Sequence, residues 1–461
     1  PPPPRAPPPP PPPPFFFKAE DGIRDIVRSR GLGDVYKRQL GTQELLLRQL
    51  DGQVSKSERN NLLIEQDIQQ LEGRMQELLK VMEKRQKSRE IENPKMGDPG
   101  RRLRPGQPDD DPYYFHQFNA NKKSVALNLK SPSGLATVKD MIRAADVMVE
   151  NFAPGAIERL GLSYDHAKEI NPSIIYAQVK GFGEGSPFEK NLAFDMIAQA
   201  CGGSFSVTGE KNGPPTRPGM SIGDTGTGML MAVTILGALY KRRETGEGHR
   251  LQVAMQDAVT HYMRVNFATT GRTGVAAERG GSKVPGITNA PMGLYPCAPG
   301  GPNDYVYIMT SRANPEHWDR LLNLIGRKDL IGDDRYATPA DRLENEEEVD
   351  ELLSTWTLTQ TKMDAMRMIG EAGIPAGAVL DTNELNNNDP SFEKRGVMQT
   401  MVHPVHRPFK MPAWPVRVDG KASRLAPSPV LGEHINEVMS DWLGLNDAAV
   451  TKLKKEGAFG G

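Results

Sequence analysis

A single carboxylate among glycines is the clearest candidate for chemistry in this sequence. Asp224 lies within Gly223-Asp224-Thr225-Gly226-Thr227-Gly228, and the apolar run Met229–Tyr240 follows directly. This run, closed by basic residues, predicts a buried helix that begins at or just after Asp224. Unpaired N–H groups at a helix start favour negative charge, and glycines let another molecule approach closely. Asp224 is therefore either a helix N-cap or an ionised nucleophile, and the local pattern leaves both open.

The wider stretch around Asp224 resembles the centre of the class III CoA-transferases, the formyl-CoA and carnitine CoA-transferase family. The matching residues are F-D-M-I-A-Q-A-C-G-G-S-F-S-V-T-G-E-K-N-G-P-P-T-R-P-G-M-S-I-G-D-T-G-T-G-M from Phe194 and Y-K-R-R-E-T-G-E-G-H-R-L-Q-V-A-M-Q-D-A-V from Tyr240. The resemblance extends from about Ile91 to Ala458. It implies a CoA-transferase that moves CoA from an acyl-CoA to a carboxylic acid, with Asp224 as nucleophile.

A carboxylate is a suitable nucleophile because it is ionised at neutral pH without a base, its free pKa being about 3.9. Attack on an acyl-CoA thioester would give an aspartyl anhydride, and backbone N–H groups near Asp224 and Gly226 could hold the oxyanion. The glycine-rich segment Gly280, Gly281 and Ser282 is a candidate substrate-covering loop or a plain connector. Formate, oxalate, carnitine-type and aromatic acids all use this scaffold, so the sequence leaves donor and acceptor open. We expect no metal.

Three further segments carry the resemblance and imply a CoA site. They are I-E-N-P-K-M-G-D-P-G-R, Y-Y-F-H-Q-F-N-A-N-K-K-S-V-A-L-N-L-K and V-E-N-F-A-P-G-A-I-E-R-L-G. The implied CoA-binding residues are Leu127, Asn128, Leu129, Lys130, Asn151, Phe152, Ala153, Arg159, Asn191, Leu192, Ala193 and Phe194. Basic side chains and helix starts suit phosphates, although a lone Lys or Arg is by default a solvated surface charge. Asn93 stands where formyl-CoA transferases carry an arginine.

The order of predicted elements indicates an α/β fold. Strands over Ser124–Leu129, Val147–Phe152 and Ile174–Val179 alternate with helices, which predicts a Rossmann-like parallel sheet. Ligands of such sheets bind beyond the carboxyl ends of the strands, where Lys180 also falls. We predict a large CoA-binding domain over 91–270, a smaller α/β domain over 271–380, and a segment over 381–461. The resemblance implies that this last segment returns to the large domain and that two protomers interlock as a homodimer.

The first 90 residues have a different character. Twelve of the first 14 are proline, and residues 1–39 are predicted to be disordered or an artefact of gene assembly. Residues 40–90 carry an unbroken a/d seam that predicts a coiled coil. This segment stands where the family has its first β-α unit, so we expect the chain as written to be inactive or poorly folded. An inactive remnant that acts as a coiled-coil interaction protein is the alternative.

Composition narrows the function classes. A net charge of −1 gives no basic surface for nucleic acid or anionic membrane, and two cysteines fit a reducing cytoplasm. The run Met229–Tyr240 is taken as too short to span a bilayer. A second function on the same fold is α-methylacyl-CoA racemase, which uses a His paired with an Asp. Phe194 occupies the position of that His and cannot exchange a proton, so the sequence favours the transferase.

Overall fold

A computed structural model describes residues 88–103, 111–285 and 289–460, and Ser88–Gly461 form one compact unit. The segment 1–39 and residues 40–87 of the predicted coiled coil lie outside the described residues. The boundary at residue 90 is wrong, because Arg89 and Glu90 belong to a strand. The strands are β1 (Arg89–Glu92), β2 (Lys123–Ala126), β3 (Val147–Glu150), β4 (Ile175–Lys180), β5 (His249–Ala254), β6 (Met292–Pro296), β7 (Tyr305–Met309), β8 (Ala376–Ala378), β9 (Met398–Met401) and β10 (Phe409–Pro412).

The α-helices lie between these strands and after them. They are α1 (Tyr113–Asn119), α2 (Pro132–Ala144), α3 (Ala156–Arg159), α4 (Tyr164–Ile170), α5 (Asp195–Cys201), α6 (Ile222–Thr245), α7 (Met255–Tyr262), α8 (Arg264–Thr273), α9 (Glu316–Leu324), α10 (Pro339–Glu344), α11 (Glu346–Thr357), α12 (Lys362–Glu371), α13 (Thr382–Asn387), α14 (Pro390–Lys394), α15 (Ile435–Leu443) and α16 (Asp447–Lys455).

A three-stranded parallel sheet supports the site. β3, β4 and β5 lie side by side in that order, with Val147 opposite Ile175 and Ile175 opposite His249. The start of β4 is fully buried on both faces, as expected for a central parallel strand covered by helices. The predicted strands over Val147–Phe152 and Ile174–Val179 are confirmed, each within two residues. The chain is thus a mixed α/β protein with parallel sheets.

A second parallel pair, β1 with β2, places Arg89 opposite Lys123. The predicted strand over Ser124–Leu129 ends earlier, at Ala126. It ends there because the N–H of Asn128 turns away from β1 and donates to the carbonyl of Ala458 at 2.7 Å. The end of the chain therefore fixes the backbone at the carboxyl end of β2.

One hydrophobic core joins these elements to the C-terminal helices. Val125 of β2 and Tyr176 of β4 share it with Val438 of α15 and Val450 of α16. The indole N–H of Trp442 also donates to the carbonyl of Ala144 at 3.3 Å. Helices α15 and α16 thus pack on the elements of residues 91–270, although Trp442 lies 298 positions after Ala144.

A separate core lies under the antiparallel sheet of β6, β7 and β8. Trp318 and Leu321 of α9, Leu353 of α11 and Ile369 of α12 are buried in it against Ile308 of β7. The alternation of buried and exposed residues in β7 matches a strand with one face on a core. Residues 292–378 therefore have a core of their own.

The helix that carries Asp224 is longer and more exposed than the sequence predicted. α6 spans 24 residues, and its inner face packs on β4, β5 and α7. Its outer face carries an apolar stripe, here the α6 stripe, whose residues Met229, Val233, Leu236 and Tyr240 are 46, 66, 67 and 53% exposed. The prediction of a buried helix is wrong, because apolar composition does not say whether the same chain supplies the cover.

Length and composition alone would allow α6 to cross a membrane, since its mean hydropathy reaches 1.4. The run Met229–Tyr240 alone is too short to span a bilayer, as expected, but α6 extends it at both ends. A single such helix is weak support for a membrane protein. Here the helix also packs on a sheet along one face and carries Asp224 in its first turn.

Candidate active site

Asp224 is the third residue of α6 and stands in its first turn, after the N-cap residue Ser221. Its side chain is exposed. Its backbone N–H donates to Oδ1 of the buried Asp195 at 3.2 Å, and Gln199 donates to Oδ2 of the same carboxylate at 2.7 Å. The start of α5 therefore fixes the start of α6 through one carboxylate. The Asp224 N–H is engaged by Asp195, and the use of backbone N–H groups near Asp224 and Gly226 as oxyanion donors stays a prediction.

Two of the three glycines around Asp224 serve packing within the chain. A Cβ at Gly223 would lie 2.8 Å from the carbonyl oxygen of Asp195, and a Cβ at Gly226 would lie 2.7 Å from the ring of Tyr262. The Tyr262 hydroxyl also donates to the Gly226 carbonyl at 2.9 Å. Only Gly228 faces open space, with nothing within 4 Å of a Cβ. The expectation that the flanking glycines admit another molecule therefore holds for Gly228 and is wrong for the other two.

The electrostatic surroundings of Asp224 are negative. Partial burial, followed by the negative charge of Asp195, raises the pKa of Asp224 above its usual range. A carboxylate that has lost part of its hydration is a more reactive nucleophile, provided that it stays ionised. Asp195 therefore has two effects, because it holds the backbone of Asp224 and makes its side chain more basic.

The negative charges of Asp224 and Asp195 also act on Tyr114 of α1. Burial raises the pKa of Tyr114, and the charges of Asp224, Asp98 and Asp195 add to the shift. The next residue, Phe115, is buried under the guanidinium of Arg101, whose carbon lies 3.8 Å from the ring centre. Arg101 in turn pairs with the buried Glu92 of β1 at 2.7 Å. Tyr114 therefore presents a neutral phenol, able to donate a hydrogen bond, within the electrostatic reach of Asp224.

Two of the predicted CoA-binding segments meet at the carboxyl end of the sheet. Asn151, Phe152 and Ala153 follow β3 directly and are exposed. Ala193 packs on Gly181, just after β4, where a Cβ would come within 2.3 Å of the Ala193 side chain. Asn191, Leu192 and Phe194 are exposed on either side of it. Phe194 immediately precedes Asp195, whose carboxylate accepts the N–H of Asp224. The predicted CoA-binding segment from Asn191 is therefore connected to Asp224.

The remaining predicted CoA-binding residues differ in burial: some side chains lie in the core and others are exposed. Leu127 is buried in the core, so its side chain is not available to a ligand. Asn128 accepts from the N–H of Lys130 at 3.2 Å, and Leu129 packs on the core. The side chains of Lys130 and Arg159 are exposed. Among these residues, the two basic side chains are the ones able to meet a phosphate.

The predicted substrate loop is held between two parts of the chain. The N–H of Gly281 donates to the carbonyl of Gly209 at 3.0 Å. On one side Arg279 donates to the carbonyl of Gly213 at 2.8 Å. On the other side Lys283 lies 2.8 Å from both Glu346 and Asp350 of α11. Gly280, Gly281 and Ser282 therefore bridge the segment that precedes α6 and the core of residues 292–378.

Several residues of the site were not identified from sequence as parts of it. Asp195 contacts Asp224 from 29 positions away, Tyr262 contacts Gly226 from 36 positions away, and the charge of Asp224 acts on Tyr114 of α1. Lys180, expected among the ligand-facing residues, is instead paired with the buried Glu150 at 2.9 Å. A sequence signal existed for Lys180, which follows a predicted strand, and for Asp195, which follows Phe194 in the segment that carries the family resemblance.

Comparisons with known proteins identify the family. The sequence model of the CoA-transferase family III matches residues 90–435. A formyl-CoA:oxalate CoA-transferase of Streptomyces coelicolor is 41% identical over 363 residues, covering 76% of this chain and 87% of that protein. One of Rhodopseudomonas palustris is 34% identical over 388 residues, covering 80% and 90%. The crystal structure of a CAIB/BAIF family protein from Brucella suis has a TM-score of 0.68 at 27% identity, covering 77% of this chain and 92% of that one. The chain therefore belongs to the CoA-transferase family III.

Proposed function

We propose that this class III CoA-transferase moves CoA from an acyl-CoA to a small carboxylic acid through covalent intermediates on Asp224. The observation that carries the proposal is the position of this carboxylate. It is exposed in the first turn of α6, while the backbone behind it is fixed by Asp195 at 3.2 Å. A fixed backbone with a free side chain is what a nucleophile requires.

The reaction proceeds in balanced steps. A carboxylate oxygen of Asp224 attacks the thioester carbon, the C–S bond breaks, and CoA leaves as the thiolate from a mixed anhydride. The thiolate then attacks the aspartyl carbonyl carbon, which releases the donor acid and leaves an aspartyl-CoA thioester. The acceptor carboxylate attacks the carbonyl carbon of this thioester, the C–S bond breaks, and a second mixed anhydride forms. The thiolate then attacks the acceptor carbonyl of this anhydride, which gives the new acyl-CoA and releases the Asp224 carboxylate. No net proton or electron is transferred, and each step exchanges one acyl bond for another.

The surrounding residues bind and orient the two substrates. The exposed Lys130 and Arg159 neutralise CoA phosphates, and the backbone of Asn151 to Ala153 holds the cofactor at the sheet edge. Tyr114 donates a hydrogen bond to the reacting acyl oxygen. The acceptor is a small acid, a substrate class supported by the relatives named formyl-CoA:oxalate CoA-transferase. Gly280 to Ser282 shield the anhydride from water.

The assembly proposed with this function is a homodimer. The α6 stripe presents four large apolar side chains on one helix face, which a second copy would cover. The proposal also includes a Rossmann-like large domain over 91–270, a small domain over 271–380, and a C-terminal segment over 381–461. A cytoplasmic location, inferred from the low number of cysteines, completes it.

Exchange of the nucleophile tests the proposal. Asp224→Asn keeps the shape of the side chain but removes the nucleophilic oxygen. We expect acyl-CoA transfer below about a hundredth of that of the unchanged protein, a loss of at least roughly 2.7 kcal/mol of barrier lowering. CoA should still bind, because its groups lie elsewhere. Intact-protein mass spectrometry with acyl-CoA should show a CoA adduct on the unchanged protein and none on the variant.

Asp165→Asn is the matched control. Asp165 is also an exposed Asp in the first turn of a helix, α4, so the same charge is removed at an equivalent position. This variant should transfer CoA normally. Equal activity of Asp224→Asn and Asp165→Asn would reject the covalent mechanism.

A further inference from the structure

The backbone N–H and carbonyl of Phe152 are both held by one ion pair, between the buried Glu150 and the partly buried Lys180. Its N–H donates to Oε2 of Glu150 at 2.8 Å, and its carbonyl accepts from Nζ of Lys180 at 2.8 Å. Nζ of Lys180 also lies 2.9 Å from Oε1 of Glu150. The ring of Phe152 remains 42% exposed. The backbone of this turn is therefore fixed while its side chain faces outward.

The ion pair sits in an unusual place for a charge. Glu150 is 3% exposed at the end of β3, where a parallel strand covered by helices is normally apolar. Gln178, its direct neighbour across the sheet, donates to it at 2.6 Å. Gln178 in turn accepts from Gln252 of β5 at 2.9 Å and from Arg250 at 3.0 Å. A polar ladder thus crosses all three strands at their carboxyl ends.

The ladder also reaches the loop that follows β4. Gln252 donates to Glu184 at 2.9 Å, and Glu184 lies in the segment between Lys180 and the predicted CoA-binding stretch from Asn191. A buried ion pair gives little net stability compared with apolar packing. We therefore interpret the Glu150–Lys180 pair as fixing the turn after β3 rather than as stabilising the sheet.

We propose that Glu150 and Lys180 are positioning residues for acyl-CoA, which hold the turn of Asn151 to Ala153 in its binding conformation before the ligand arrives. Lys180 acts through the Phe152 carbonyl and does not bind phosphate itself, because Glu150 neutralises its charge. Prior ordering of the turn lowers the entropy that binding would otherwise lose. This inference rests on the proposed function, since it concerns how the same site binds its cofactor-like substrate.

The test is a double variant, Glu150→Gln with Lys180→Met. A single Lys180→Met would leave a buried carboxylate without its partner and would destabilise the fold. The double variant removes both charges together and also removes the donor to the Phe152 carbonyl. We expect a melting temperature close to that of the unchanged protein, a KM for acyl-CoA raised about tenfold and a kcat within about twofold. A purely structural role would lower kcat and stability together.

The matched control is Asp146→Asn with Arg242→Met. Asp146 stands just before β3, at the amino end of the same sheet, and Arg242 of α6 lies 2.7 Å from it. It should leave the KM for acyl-CoA unchanged. A double variant of Glu150 and Lys180 that melts normally and keeps the original KM overturns the proposal, and so does one in which kcat falls as much as KM rises.

A measurement on the unchanged protein covers the case in which the double variant does not fold. Amide exchange at Phe152 should already be slow without ligand and should change little when CoA is added. Fast exchange in the free protein that becomes slow only with CoA would overturn the proposal. CoA binding to Asp224→Asn, measured by calorimetry, separates the two claims, because it does not depend on covalent chemistry.

Discussion

The α6 stripe makes a prediction whose size follows from the structure. Leu236 is 67% exposed, and fully burying a leucine is worth about 1.5–3 kcal/mol, so covering its exposed part contributes about 1–2 kcal/mol. In a twofold dimer the same residue is used twice, which doubles the contribution to about 2–4 kcal/mol. Leu236→Ala should therefore raise the dimer dissociation constant roughly 30- to 700-fold.

Sedimentation equilibrium over a range of protein concentrations measures this constant directly. Lys241→Ala is the control, because Lys241 is exposed near the end of α6 and, one residue after Tyr240, points away from the face of the stripe. A surface change of this kind should alter the association free energy by less than about 0.5 kcal/mol. The reasoning fails if the unchanged protein is a monomer or if Leu236→Ala dimerises equally well. Binding to lipid vesicles that depends on Leu236, without dimerisation, would instead show that a membrane covers the stripe.

Two further predictions concern pH. Asp195→Asn removes one cause of the raised pKa of Asp224, so the acid limb of the pH profile of kcat/KM should move to lower pH. Asp140→Asn, on the surface, is the control. An acid limb that does not move, or that moves equally in the control, would contradict this prediction. Burial lowers the pKa of His403; His406 lowers it further, and the hydrogen bond to the Ser428 carbonyl offsets part of this shift. The folded state therefore binds the His403 proton less tightly than the unfolded state does. Stability should therefore fall as pH drops below about 6.5, and His403→Asn should reduce this loss in urea titrations above and below that pH; an equal loss in both proteins would reject the assignment.

The sequence predicted what depends on short-range pattern. Strands β3 and β4 were located within two residues because their apolar runs end at turn signals. The position of Asp224 near a helix start followed from glycines before an apolar run. These inferences need only residues within about one element, and the family resemblance then gave the carboxylate its role.

Contacts between elements could not be predicted in the same way. Asp195 meets the Asp224 N–H from 29 positions away, and Lys180 meets Glu150 from 30 positions away. Nothing in the local pattern says that two β-α connections meet at one edge with these side chains facing each other. The same reason explains the error over α6, since whether another element covers its outer face does not follow from its own composition.

The packed and open faces of α6 explain why Asp224 is available for chemistry. Gly223, Gly226 and Thr227 are buried and lie three or four residues apart, so they form the face that packs on α5 and α7. Asp224 and Gly228 are also four apart and lie together on the exposed side. The open space at Gly228 is therefore directly beside the carboxylate. We expect an acyl group to approach Asp224 over Gly228, because no atom of the described residues, apart from the adjoining backbone of α6, lies within 4 Å of a Cβ built there, and a side chain at position 228 would occupy that route.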